Sequence, residues 1–351
     1  GFYNIFSSET RILSYLALGL GALNEEEFKT HWKALERPKI SDLDFEFEGM
    51  DLVLSWAGGA FEFGMPTLFV DEVELGPYSQ GINLYKAMVA QRLWAENKGY
   101  PVFGESPATD EYYGWASFGA PDTAISPGDA KSRGVIIPHA SFLFPFDLAM
   151  KNIRAQALLY PEAYLEKYGF ASAINTNNNE VIKLYRGFEQ GMIVAALANM
   201  LEDNFIQKMF LAGLEGEKIK KILKEDKPFF SAFDIAEEIT ELYNAGLRHL
   251  EKGNWRQANT LFEYIDFLDK TYQLNFDYRD WREKYTEAKN LAQENLENLY
   301  SLALGEFEQE NYSGALKLLK EIVSFDVDYR DAVYLYRITN ILASSEVKIS
   351  R

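Results

Sequence analysis

The sequence predicts an all-α fold in two parts, and three observations carry that prediction. All 11 prolines lie at or before Pro228, so the last 123 residues are free to run as unbroken helix. That same stretch repeats itself. Leu250-Glu-Lys-Gly-Asn-Trp255-Arg-Gln-Ala258 is echoed by Phe307-Glu-Gln-Glu-Asn-Tyr312-Ser-Gly-Ala315, and Tyr278-Arg-Asp280 by Tyr329-Arg-Asp331. A short turn after an apolar helix, followed by a small residue at a close crossing, is how helical hairpins stack. Finally, no run in the first part alternates apolar and polar residues well enough to be read as strands.

The seam falls between residues 225 and 226. Before it, Ser8 is expected to cap a helix running to about Leu20, with Ile12, Tyr15, Leu16 and Gly19 on one face. Glu25–Leu35 is a second helix with acids in its first turn, where the helix dipole favours them. Gly59–Val70 is a third, bent or ended by Pro66, and Gln80–Asn97 a fourth. Ala140–Tyr160 holds one or two helices broken at Pro145; Gly187–Leu201 is strongly apolar, and Ile206–Leu223 adds one or two more. Residues 99–138, with five prolines, and residues 169–186 are long loops, and long loops in a compact domain tend to carry function. After the seam, Trp255 and its counterparts are hairpin packing, and Glu283–Glu297 is a charged helix between two units. Two units are fewer than a free-standing array needs, so they are expected to stack on something else.

Composition narrows the function. The 351 residues are 47% hydrophobic and 15% aromatic, enough to build cores. A net charge of −18 argues against coating nucleic acid or docking on anionic lipid, while a neutral sugar meets no such barrier. Zero Cys excludes a disulfide scaffold and fits a bacterial periplasmic or cell-surface protein. Three His make a His-rich metal site unexpected, and no metal or cofactor is expected. No apolar run reaches the ~18 residues of a membrane span, and residues 1–25 lack a signal-peptide pattern. Nucleotide-binding glycine motifs and a Gly-x-Ser-x-Gly elbow are absent.

Three glutamates sit among glycines and aromatics: Glu62 in Trp56-Ala-Gly-Gly-Ala-Phe-Glu62, Glu105 in Phe103-Gly-Glu105-Ser, and Glu189 in Tyr185-Arg-Gly-Phe-Glu189-Gln190. An apolar wall raises a carboxylic acid's pKa and suits it to protonate a leaving sugar oxygen, while a second, ionised carboxylate activates water or attacks. The plainer readings are that Glu62 is a buried, hydrogen-bonded group and that Glu189 serves its helix N-terminus. His139 fits either a sugar hydroxyl or the cap of the next helix. The cluster Asp71, Glu72 and Glu74 has the ligand type to bind a cation, but a solvated helix end is the favoured reading.

Six segments, in order, carry a resemblance to a known family: Phe2-Tyr-Asn-Ile-Phe-Ser-Ser-Glu9-Thr-Arg11; Ser55-Trp56 through Phe61-Glu62 to Met65-Pro66; Gly104-Glu105-Ser106; Pro138-His139-Ala140-Ser141; Tyr168-Gly-Phe170; and Gln190-Gly191-Met192. Residues 2–211 resemble the glycoamylase-like domain of cyclic β-1,2-glucan synthases, related to endo-β-1,2-glucanases. Residues 226–351 resemble tetratricopeptide repeats. The resemblance implies an (α/α)6 toroid acting on β-1,2-linked glucan, as a hydrolase or transglycosylase. It makes Glu105 the expected general acid, Glu62 the base or positioner, and Glu189 and Glu9 supporting carboxylates. Arg11, Trp56, Tyr112, Trp115, His139, Tyr185 and Gln190 are the expected sugar contacts. Residues 1–225 hold too few helices for the twelve of a toroid, so its N-terminal helices are expected to be missing, to come from a partner chain, or to be replaced by the C-terminal repeats. The alternative is a non-catalytic glycan-binding or assembly protein that uses the repeats to hold a partner.

Overall fold

The computed structural model describes residues 4–42, 47–109, 114–128, 134–274 and 280–349, and it is predominantly helical. Helices α1 (Arg11–Gly19) and α2 (Glu25–Ala34) open the chain. Asn24 starts α2 with a capping box: its side chain takes the Glu26 and Glu27 amides, and Glu27 reaches back. Ser8 does not cap α1. Thr10 holds that position without a side-chain cap, and the Ser8 hydroxyl takes the Thr10 amide instead.

Helix α3 (Ala60–Gly64) runs into a 3-10 turn at Met65–Leu68, so Pro66 ends the α-helix as expected. After α4 (Glu72–Leu75), a π-turn at Pro77–Gly81 leads into α5 (Ile82–Asn97). Helix α5 is buried on nearly every face and forms the central post. Its few polar side chains fasten the surrounding loops: Asn83 binds the Val53 amide and carbonyl, Lys86 pairs with Glu238, and Gln91 reaches Gly58 and Glu105.

The two long loops contain short strands that the expected loops lacked. These are β1 (Ala108–Thr109) with β2 (Trp115–Ala116), then β3 (Val135–Ile136). Helices α6 (Pro138–Phe142) and α7 (Asp147–Leu159) flank Pro145. The pair β4 (Tyr164–Leu165) and β5 (Gly169–Phe170) follows. Strands β6 (Ala173–Asn175) and β7 (Glu180–Ile182) complete an antiparallel sheet ordered β3-β6-β7. Strands of two or three residues leave no periodicity to read in a sequence.

Then come α8 (Gly187–Leu201), α9 (Phe205–Ala212) and α10 (Gly216–Lys224), followed by α11 (Ala232–Glu251), α12 (Trp255–Tyr272), α13 (Trp281–Glu308), α14 (Tyr312–Phe325) and α15 (Ala332–Ile349). The sequence echo is a structural one. Ala258 and Ala315 are fully buried at equivalent points of α12 and α14. The Tyr243 hydroxyl donates to Asp280, and the Tyr300 hydroxyl donates to Asp331. These hairpins pack on the first part. One apolar cluster joins Leu52, Phe103 and Phe142 to Leu242, Phe262 and Trp281; another joins Ile136 and Leu159 to Leu296, Leu319 and Tyr336. Helix neighbours form a closed circuit: α5 on α12, α13, α14, α7, α6, α8, α9, α10, α4 and back through the π-turn to α5. The C-terminal helices are thus part of one continuous circuit of packed helices with those of the first part.

Candidate active site

Glu62 owes its position to a tight crossing of two loops. Gly58 has a φ of +74°, and a Cβ there would lie 2.3 Å from the Ala120 carbonyl oxygen; one on Gly119 would lie 1.7 Å from that of Ala57. The chain can therefore turn sharply after Trp56 and start α3 at Ala60. Glu62, three residues past Gly59, folds back over the turn. Its Oε2 accepts from Ser55 Oγ (2.8 Å), the Ala57 amide (3.0 Å) and the Gly59 amide (3.1 Å). Burial pushes the Glu62 pKa up, against the pull of those three donors, and the nearby Glu9 charge pushes the same way.

Glu105 is buried on the neighbouring segment. Gln91 clamps its backbone on both sides, accepting from its amide and donating to its carbonyl, each at 2.9 Å. The same carbonyl accepts from the Ala60 amide at 2.7 Å, so the segment holding Glu105 is fastened to the start of the Glu62 helix. Next door, Ser106 Oγ takes the Phe61 amide (3.2 Å) and pairs with His139 Nε2 (3.0 Å).

Glu189 occupies the first turn of α8 and is 1% exposed. Ser172 Oγ donates to its Oε1 at 2.7 Å, and Ser172 also meets Thr109 on β1. Burial raises the Glu189 pKa; the Ser172 hydrogen bond and the Arg186 charge oppose that rise. Residues 104–109 thus tie the neighbourhoods of all three carboxylates together: Glu105 directly, Glu62 through Ala60 and Phe61, and Glu189 through Thr109 and Ser172.

Aromatics surround this network. Trp56 and Trp115 are 42% and 51% exposed, large for tryptophans and suited to stacking on the C–H face of a sugar ring. Phe61 meets Phe188 edge to face at 5.4 Å, and Tyr168 meets the half-buried Tyr185 at 5.4 Å. Glu9 is half-buried and accepts from Ser8 Oγ. Tyr112 lies outside the described residues.

Three expected sugar contacts are engaged in holding the fold. Arg11 is buried and bidentate to Glu72, and its remaining hydrogens go to the Phe6, Ser8, Glu62 and Phe63 carbonyls. A guanidinium saturated in this way has no donor left for a ligand. Glu72 also takes the Tyr15 hydroxyl, so it faces the interior, while Asp71 caps α4 through the Glu74 amide. Gln190 pairs both ends of its amide with the Phe170 backbone, pinning β5. His139 lies inside α6, and burial drops its pKa to about 3, so it is a neutral partner of Ser106. Sequence reasoning missed Gln91, Ser106, Thr109, Ser172 and Arg186. Gln91 is one of several polar residues on α5, and its neighbours in the sequence do not single it out.

The Glycoamylase family model, described as "Putative glucoamylase", matches residues 2–213. Over 240 residues the chain is 27% identical to the cyclic beta-(1,2)-glucan synthase NdvB of Rhizobium meliloti (strain 1021), covering 64% of this chain and 8% of that protein. The crystal structure of a "putative glucoamylase" from Bacteroides uniformis ATCC 8492 superposes with a TM-score of 0.43 at 20% identity, over 57% of this chain and 49% of the other. With the model spanning well over half of its residues, the chain belongs to the glycoamylase family.

Proposed function

We propose that the chain acts on β-linked glucan, β-1,2-linked by similarity, as a glycoside hydrolase or transglycosylase. The observation that carries this reading is the linkage of three buried carboxylate neighbourhoods by residues 104–109, beside exposed tryptophans. Glu105 is the proposed general acid, donating a proton to the glycosidic oxygen as the bond to the leaving sugar breaks. Glu189, with a single side-chain donor and its Oε2 without a hydrogen-bond partner among the described residues, is the candidate second carboxylate. Glu62 is proposed to position the Trp56 turn, because its oxygens already serve three protein donors. Trp56, Trp115, Tyr112 and Tyr185 would line the sugar subsites. A bacterial periplasmic or cell-surface location is part of the same proposal, supported by the absence of Cys and the neutral substrate.

The test is sugar release from linear β-1,2-glucan by the wild type and by Glu105→Gln. Loss of release in a variant with an unchanged far-UV spectrum supports the assignment; full activity in it removes Glu105 from the chemistry.

A second reading, non-catalytic glycan binding or assembly, is favoured by one fact: Glu62, Glu105 and Glu189 are each at most 8% exposed. On that reading the C-terminal units, which we class as tetratricopeptide-like, offer their outer faces to a protein partner. Oligosaccharide binding by calorimetry without any sugar release would select it.

A further inference from the structure

Arg186, the residue just before α8, reaches two groups at once. Its guanidinium carbon lies 5.3 Å from the centre of the Trp115 ring, and its Nε donates to Thr109 Oγ1 at 2.7 Å. Thr109 and Trp115 are cross-strand partners in β1–β2, so Arg186 grips both strands of that ribbon. Thr109 Oγ1 is 2.9 Å from Ser172 Oγ, and Ser172 Oγ is 2.7 Å from Glu189 Oε1. A serine hydroxyl has one hydrogen, and the charged acceptor takes it. Toward Thr109 Oγ1, too, Ser172 Oγ is the donor, so the Glu189 contact dominates, and Arg186 donates to the same Thr109 oxygen. Guanidinium and carboxylate are thus joined through a chain of two hydroxyls in continuous contact, with Thr109 and Ser172 both buried. The other carboxylate oxygen, Oε2, is buried and has no hydrogen-bond partner among the described residues.

Resting on the glycan reading above, we propose that Arg186 is a positioning residue that sets the Trp115 sugar platform and the Glu189 carboxylate together, the latter through Thr109 and Ser172. Of the elements packed on α8, α6 brings only the neutral His139, the Met65–Leu68 turn brings no charge, and α9 brings Lys208, which is exposed and paired with Asp203. Among the described residues, Arg186 is therefore the cation that acts on Glu189.

The experiment uses the full chain and two readouts. The titration of Glu189 is followed by carboxyl carbon-13 NMR, assigned with Glu189→Gln. The affinity for a linear β-1,2-gluco-oligosaccharide is followed by tryptophan fluorescence and calorimetry. Arg186→Gln is expected to raise the Glu189 pKa by about 1 and to weaken the oligosaccharide about tenfold. Ser172→Ala and Thr109→Val cut the chain without touching Trp115; each is expected to move the pKa similarly and the affinity by much less. Arg186→Lys keeps the charge but loses the planar fork, so affinity falls with a smaller pKa change. An unchanged Glu189 titration in both Arg186→Gln and Thr109→Val overturns the proposal. So do equal losses of affinity in Ser172→Ala and Arg186→Gln, which would mean general loosening. If the wild type binds no oligosaccharide, the glycan reading and the platform half of the proposal fall; the titration arm still decides whether Arg186 sets Glu189.

Discussion

Replacing Glu62 by glutamine separates a structural carboxylate from a chemical one. Three donors converge on it: the Ser55 hydroxyl and the Ala57 and Gly59 amides. Glutamine can keep its carbonyl oxygen for those donors, but its NH2 group then stands where Oε1 now accepts from the Ala57 amide at 3.2 Å, so donor meets donor there. A buried donor left unpaired costs ~1–3 kcal/mol, and hydrogen bonds that lose charge assistance weaken by roughly 1 kcal/mol each. Relief of the buried charge, the direction in which burial moves the Glu62 pKa, offsets part of this. The net expectation is a loss of about 2–4 kcal/mol in urea unfolding followed by tryptophan fluorescence. Glu105→Gln is the control. Its segment is held through backbone contacts to Gln91 and Ala60, so its stability should change by under about 1 kcal/mol while sugar release is lost. If Glu62→Gln unfolds at the wild-type urea midpoint yet releases no sugar, Glu62 does chemistry and the capping argument is wrong.

Other substitutions probe other parts of the frame. Arg11→Met strands the Glu72 carboxylate in the interior and should cost ~3–5 kcal/mol by urea titration, with no selective loss of oligosaccharide affinity in the folded fraction. Gly119→Ala puts a methyl into the Ala57 carbonyl, so the loop crossing must open; a soluble variant with wild-type Tm and oligosaccharide affinity would contradict this. His139 has a folded pKa of about 3 against an ordinary 6.5, so the unfolded chain binds its proton first, and stability falls as pH drops from about 6.5 towards 3. His139→Gln should remove up to ~1.4 kcal/mol per pH unit of that slope, read from urea midpoints across the window. Glu189 has a raised pKa, so its ionisation costs stability as pH rises through and above the carboxylate range; Glu189→Gln should raise Tm more at pH 8 than at pH 4.

Helix positions were legible because their determinants are local. Asn24 before three acids, Pro145 between two apolar runs, and the three-residue turns before Trp255 and Tyr312 each act within one or two turns of chain. The apolar helix Gly187–Leu201 was readable to its exact ends. The site was only half readable. Glycines next to Glu62 and Glu105 mark close backbone approach, but the groups that decide each carboxylate's state come from elsewhere. Gln91 serves Glu105 from a helix, and Ser172 serves Glu189 from before a strand. Arg11 shows the converse failure. A conspicuous cation beside an acid in a motif looked like a ligand contact, and its true partner, Glu72, lies 61 residues away at the start of α4, in a cluster read as solvated.

The apolar clusters that span residue 225 bear on how the molecule comes apart. Proline usage changes at that point, but Phe230, Ile239, Leu242 and Trp281 fill the same cluster as Leu52 and Phe103. A chain cut there would lay bare a broad oily surface on both fragments, and neither would be expected to stay monomeric. Heat should therefore melt Trp56 and Trp281 together, in one transition. What changes at 225 is amino-acid usage, while the apolar packing runs straight through: the hairpins and the first part share one cluster of buried side chains.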